Sequence, residues 1–148
     1  MNKIDQMKNK YPSMVDEISP KNTVVINSLR AFWVGGLICT LGQFINNIFL
    51  RYGFTTIEAA GITSVSLIFL GSALTALNVY EVIGKYAGGG SAIPITGFAN
   101  SMVSAAVEHK AEGYVFGLGA KIFTIAGPVI VYGIIASTAL GIIYYFIH

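Results

Sequence analysis

Several things are scarce in this chain, and each scarcity excludes something. There is one cysteine, Cys39, so no intramolecular disulfide can form, and its place inside an apolar run marks it as a small packing residue. The two histidines, His109 and His148, have no metal-binding spacing, and carboxylates are too sparse to cage calcium. No Gly-x-Ser-x-Gly or paired-aspartate arrangement is present for hydrolysis, and no Gly-Lys-Ser/Thr follows a glycine loop, so neither a catalytic site nor an ATP motor is expected. The net charge of +2, with no Arg-rich patch, gives no reason to expect nucleic acid. The first 23 residues contain no apolar stretch of the kind a signal peptide needs, and none is expected. No cofactor is expected either.

Charge itself is scarce. Only 11% of the 148 residues are charged, against about 25% in soluble domains, while 54% are hydrophobic and the mean hydropathy is +0.67. A core of this size cannot hide so much apolar surface, so lipid must cover part of it. One polar region and one membrane domain follow: residues 1–30, a cytoplasmic tail ending in an interfacial helix, and residues 31–148, a transmembrane helical domain.

The tail carries Lys3, Lys8, Lys10, Lys21 and Arg30 against Asp5, Asp16 and Glu17. Residues 1–18 read as a flexible tail. Ser19-Pro20 has the form of an N-cap followed by proline at the first helical position, opening an interfacial helix through Val24, Val25, Ile26 and Leu29. Ala31 to Leu50 is uncharged for 20 residues between Arg30 and Arg51, and at about 1.5 Å per residue this spans the hydrocarbon layer. Phe32 and Trp33 stand near its entry as interfacial aromatics do. Thr55 and Glu58 fit a capping box, and Ile62 to Tyr80 forms a second span. Ile122 to Ile147 forms the last span, with a kink expected at Gly127-Pro128.

The third apolar stretch is different. Between Lys85 and Glu108 there are 22 uncharged residues, but Gly88, Gly89, Gly90, Pro94 and Gly97 forbid a regular helix in its first half. A helix from Gly97 to Ala111, stopped by Gly113, is only about 22 Å long. Broken backbone sits at membrane depth only where protein or a water-filled cavity surrounds it, and in transporters it points to a substrate path. The fold class is therefore an all-α integral membrane protein with four membrane segments, the third broken or half-helical. The alternative is three spans plus a re-entrant segment. Segment length favours crossing. Charge favours re-entry, because eight of the nine basic residues then lie on one side. In both cases the N-terminus is placed in the cytoplasm.

Polar residues recur at helical spacing on three segments. Gly36, Thr40, Gln43 and Asn47 form one stripe, Gly71, Thr75 and Asn78 a second, and Asn100, Ser104 and Glu108 a third. Such stripes either bond helices together or line an aqueous path. If they converge, the ligand path comprises Ser91, Thr96, Gly97, Asn100, Ser104 and Glu108, faced by Gln43 and Asn47. Backbone N–H groups at the start of the half-helix would favour an anion; close packing is the other use of the glycines. Gly133, Ser137 and Gly141 form a small-residue seam for helix packing, within the chain or between chains.

The run Leu29-Arg30-Ala31-Phe32-Trp33-Val34-Gly35-Gly36-Leu37-Ile38, together with GSAIPITGFANSMVSAAVEHKAEG from Gly90 to Gly113, resembles the stage V sporulation protein AC family of spore-forming Bacillota. The likeness extends from about Asn27 to Gly133. It implies a multi-pass protein of the spore inner membrane within the SpoVA complex, a channel-like component responsive to membrane tension. It also implies passage of dipicolinic acid with calcium, inward during sporulation and outward during germination. An AE-type membrane subunit and an AD-type soluble subunit are the implied partners, in a homo- or hetero-oligomer. A non-conducting scaffold anchoring those subunits is the competing expectation.

Overall fold

The computed structural model describes residues 10–12, 14–15 and 23–147. The proposed helix start at Ser19-Pro20 lies outside the described residues, as does most of the tail; residues 10–12 and 14–15 are helical. Among the described residues there are helices and turns and no strand.

The first helix, α1, runs unbroken over Val24–Arg51. The interfacial stretch and the first span thus form a single rod. It ends where Tyr52 and Gly53 (φ +90°) turn the chain, with Phe54 edge-on to Phe49 at a centroid distance of 5.7 Å. The second helix, α2 (Thr56–Ala76), opens with the expected capping box: Glu58 Oε2 accepts from the Thr55 N–H at 2.9 Å, and Thr55 Oγ1 accepts from the Glu58 N–H at 3.4 Å. It packs antiparallel to α1, where Gly42 lets Leu67 and Thr63 approach. Several hydroxyls along both helices are satisfied within their own turn, as in Thr40 to Gly36 O (2.8 Å) and Thr63 to Ala59 O (2.7 Å), which spares those donors an orphaned exposure to hydrocarbon.

The second span ends at Ala76, four residues before the sequence-based boundary at Tyr80. Asn78 takes left-handed backbone (φ 58°), a conformation asparagine tolerates, and this breaks the helix. The interrupted stretch then folds as α3 (Val79–Ala87), a four-residue α4 (Gly89–Ala92) and α5 (Ile95–Glu108), separated at Gly88 (φ +53°) and at Pro94. The half-helix begins at Ile95 rather than Gly97 and ends at Glu108, followed by a 3-10 turn (Lys110–Glu112) and Gly113.

Among the described residues a fourth complete crossing is not found. Three helical stretches are long and apolar enough to span a membrane: Val24–Arg51, Thr56–Ala76 and Tyr114–Ile147. The contacts show how the interrupted segment is set. Gly90 sits on Ala31 and Gly35 of α1. Gly71 of α2 receives Thr96, and Thr75 meets Asn100, so α5 runs parallel to α2, toward the end at which α2 finishes. A π-helical stretch (Tyr114–Gly119), tucked under His109 through Gly117, then leads into α6 (Ala120–Ile147). Helix α6 continues through Gly127-Pro128 without a break, and from Val129 to Ile147 every residue is exposed.

The close approach at Gly90 generates a stability prediction. A Cβ there would run into the Ala31 carbonyl, backbone that cannot swing aside, whereas Gly36 faces open space. Gly90→Val should destabilise the folded chain by about 1–3 kcal/mol, and Gly36→Val by far less. Thermal unfolding in detergent, monitored by helical circular dichroism, checks this; equal loss for the two would contradict the packing.

Candidate functional site

The site is built around a tyrosine. Tyr80 lies on the first turn of α3 and is 3% exposed. Its hydroxyl is 2.8 Å from the Ser91 carbonyl oxygen and 2.8 Å from Thr96 Oγ1. A phenol has one proton and a carbonyl can only accept, so Tyr80 donates to Ser91 O and receives the Thr96 hydroxyl. One ring thus ties α3 to both sides of the Pro94 break. Ser91 Oγ reaches back to Gly88 O at 3.1 Å, capping the first break as well. Ser91 and Thr96 are buried, at 1% and 6% exposure. Gly97 lies directly beneath the Ser91 and Ala92 carbonyls, so the start of α5 is covered by oxygens instead of open to an anion.

Two hollows flank α5, one with a mixed lining and one with a mainly apolar lining. One, a cleft of about 410 Å³, is lined by Thr75, Asn78, Glu81, Asn100, Ser104 and Glu108 among others. The other, of about 640 Å³, lies between the broken segment and α6 and is lined by Ser91, Gly97, Ser101 and Val129. Asn100 lines both. Its amide oxygen is 2.9 Å from Thr75 Oγ1, whose proton is shared with Gly71 O at 2.7 Å. Ser104 and Glu108 follow one and two turns further out, both exposed. Glu81 stands across the mouth, paired with Lys85 at 2.7 Å. That ammonium, by hydrogen bond and charge, holds the Glu81 carboxyl below the usual range, so it stays ionised well into mild acid.

The structure therefore brings Asn100, Ser104 and Glu108 to one cleft with Thr75 and Asn78, joining the second and third stripes. It places Ser91 and Thr96 behind them, as partners of Tyr80. It does not bring Gln43 and Asn47 to this cleft. Those two are exposed on α1, bonded to each other at 2.9 Å. Gly133, Ser137 and Gly141 meet nothing within the chain: a Cβ at either glycine would stand in open space, and Ser137 is exposed. Cys39 is exposed on α1 and not packed. Sequence reading missed Tyr80 and Glu81. Tyr80 was only the last residue of the expected second span, and the left-handed Asn78 reassigns it to the next helix.

Residues 27–143 match the family described as SpoVAC/SpoVAEB sporulation membrane protein. The chain is similar to Stage V sporulation protein AC of Bacillus subtilis (strain 168), at 44% identity over 138 residues, covering 93% of this chain and 92% of that protein. No solved structure matches it.

Removing the Tyr80 hydroxyl should loosen the break while keeping the ring. Tyr80→Phe leaves the Ser91 carbonyl without its donor, at a cost of about 1–3 kcal/mol. Amide hydrogen exchange across residues 88–97 should accelerate relative to α1; unchanged protection would show that the hydroxyl does not hold the segment.

Proposed function

The chain belongs to the SpoVAC/SpoVAEB family of sporulation membrane proteins, and from that premise we propose that it forms part of a conduit for dipicolinic acid with calcium across the spore inner membrane. In this reading the segment from Val79 to Glu108 is re-entrant: it dips in from the cytoplasmic face and leaves on the same face, with the N-terminus there too. The parallel course of α5 beside α2 supports it. So does charge, since Lys85, Lys110 and Lys121 then share a side with the basic tail.

The observation that carries the proposal is the position of Asn100. It lines both the cleft and the hollow beside α6, contributing a neutral amide to each. Asn100, Ser104 and Glu108 are the lining; Ser91 and Thr96 hold the lining in place through Tyr80. The mouth carries Glu108 and the Glu81–Lys85 pair, a net negative charge that would repel a bare dianion. A calcium chelate, whose charge is cancelled, passes such a mouth more easily. Among the described residues no three His, Cys, Asp or Glu side chains gather into a metal site, which suits passage, since conduction requires weak binding.

The dip is shallow. Gly35 and Gly71, on which α4 and α5 rest, lie about five residues inside Arg30 and Ala76, or roughly 7 Å of helical rise. The remaining depth of the bilayer must be enclosed by other chains, such as AE-type membrane subunits or further copies of this one, with an AD-type soluble subunit against the cytoplasmic face. Membrane tension would act by spreading α6 from α5, the helix it packs against, for the residues of α6 from Val129 to Ile147 are exposed. That same bare helix, with its Gly133, Ser137 and Gly141 seam, supports the second reading, a scaffold that anchors partners and conducts nothing.

Dipicolinate efflux from liposomes under osmotic stretch tests both. Asn100→Leu should reduce flux by about tenfold, the cost of one lost hydrogen-bonding station, whereas Gln43→Leu, outside the cleft, should leave it near the parent value. No flux from the parent chain would favour the scaffold. Equal flux through the parent and Asn100→Leu would remove Asn100 from the lining.

A further inference from the structure

One feature pair is not used by the conduit. On the side of the molecule bounded by α1, α2 and α3 there is an apolar groove of about 600 Å³, lined by Leu37, Leu41, Leu70, Ile83 and Tyr86 among others. The Thr96 and Tyr80 hydroxyls that border it are already bonded to each other, so the groove offers an occupant no free polar group of theirs. Directly beside it is a small polar pocket of about 190 Å³, formed by Asn27, Arg30, Lys85, Tyr86 and the Gly88–Gly89 backbone. Tyr86 lines both.

We propose that these two hollows together bind one anionic phospholipid, its phosphate between Arg30 and Lys85 and an acyl chain along the groove. The charge balance supports it. Lys85 is already paired with Glu81, and among the described residues Arg30 forms no ion pair; its guanidinium lies over the Tyr86 ring, 5.0 Å from the centroid. Among the described residues the pocket thus keeps one uncompensated positive charge, matched by one phosphodiester. A guanidinium held over a ring keeps N–H donors of the kind that phosphate oxygens take. The depth is also right. Arg30 is the last charge before the 20-residue uncharged run of α1, so it stands where headgroups lie, and the groove descends from it along Leu37 and Leu41. Basic pockets between membrane helices hold acidic headgroups in this manner. Free phosphate could use the pocket alone; the adjoining apolar groove favours a lipid. A lipid seated there would bear on Lys85, Tyr86 and the Gly88 break, the segment that Tyr80 secures from behind.

Native mass spectrometry of the purified full-length chain in mild detergent, titrated with phosphatidylglycerol and with phosphatidylcholine, tests the proposal. The parent chain should retain phosphatidylglycerol roughly fivefold or more over phosphatidylcholine. Arg30→Gln should bring the two lipids to near parity, with Lys85→Gln as an independent second variant. Leu37→Trp, which fills the groove at a half-exposed position, should weaken retention of both lipids. Arg51→Gln, a basic residue at the opposite end of α1 away from the groove, should change nothing. Circular dichroism confirms that each variant retains its helices. Equal retention of the two lipids by the parent, Arg30→Gln behaving like Arg51→Gln, or unaltered retention in Leu37→Trp would each overturn the proposal. Displacement of the bound lipid by millimolar inorganic phosphate would overturn it in favour of a free anion.

Discussion

Backbone freed from a helix must find partners wherever water is scarce, and that constraint governs this molecule. Gly88 and Pro94 interrupt the chain twice within seven residues, at a level where α1 and α2 are apolar. An unsatisfied N–H or carbonyl in hydrocarbon costs several kcal/mol. The solution is local and compact. Tyr80 donates to the Ser91 carbonyl, the Thr96 hydroxyl closes onto Tyr80, and Ser91 returns to Gly88. Gly90 and Gly71 allow the broken segment to lie against neighbouring helices with backbone in contact. Without side chains small enough at those two positions, the tyrosine could not reach both sides of the break.

From this arrangement the polar cleft follows. Because α5 starts beside Gly71 and returns alongside α2, its four-residue repeat of Asn100, Ser104 and Glu108 meets Thr75 and Asn78 of the neighbouring helix. The two stripes face a shared hollow instead of lipid, which is the least costly place for amides and carboxylates in a membrane protein. The apolar faces remain outward, on α1, α2 and most of α6. For α6 that leaves nineteen exposed residues from Val129 to Ile147, the arrangement expected of a subunit whose neighbours complete it.

Much of this was legible from residues alone. The uncharged run between Arg30 and Arg51 set α1, the Thr55–Glu58 spacing set the start of α2, and the three glycines and Pro94 marked a helix that could not continue. The rest depended on single conformations that no pattern announces. Asn78 in the left-handed region ended α2 early, moved Tyr80 onto the next helix and made the last residue of the expected span a buried clamp. The direction of α5 was ambiguous because length and charge argued oppositely, and the contacts of Gly71 and Thr75 decide for a parallel course. Gln43 and Asn47 had the spacing of a lining stripe, yet an i, i+4 pair can satisfy itself, and this one does. Pro128 lacks only the N–H that would reach Thr124, and α6 passes through it.

The account rests most heavily on the interrupted segment entering and leaving the bilayer on one face. Single cysteines at Lys85→Cys and Lys110→Cys, in a Cys39→Ser background, report this directly through labelling with a membrane-impermeant maleimide in right-side-out and inverted vesicles. The account predicts that both positions label from the side that also exposes the N-terminal tail, and neither from the other side. Labelling of the two positions from opposite sides would make the segment a full crossing and contradict it.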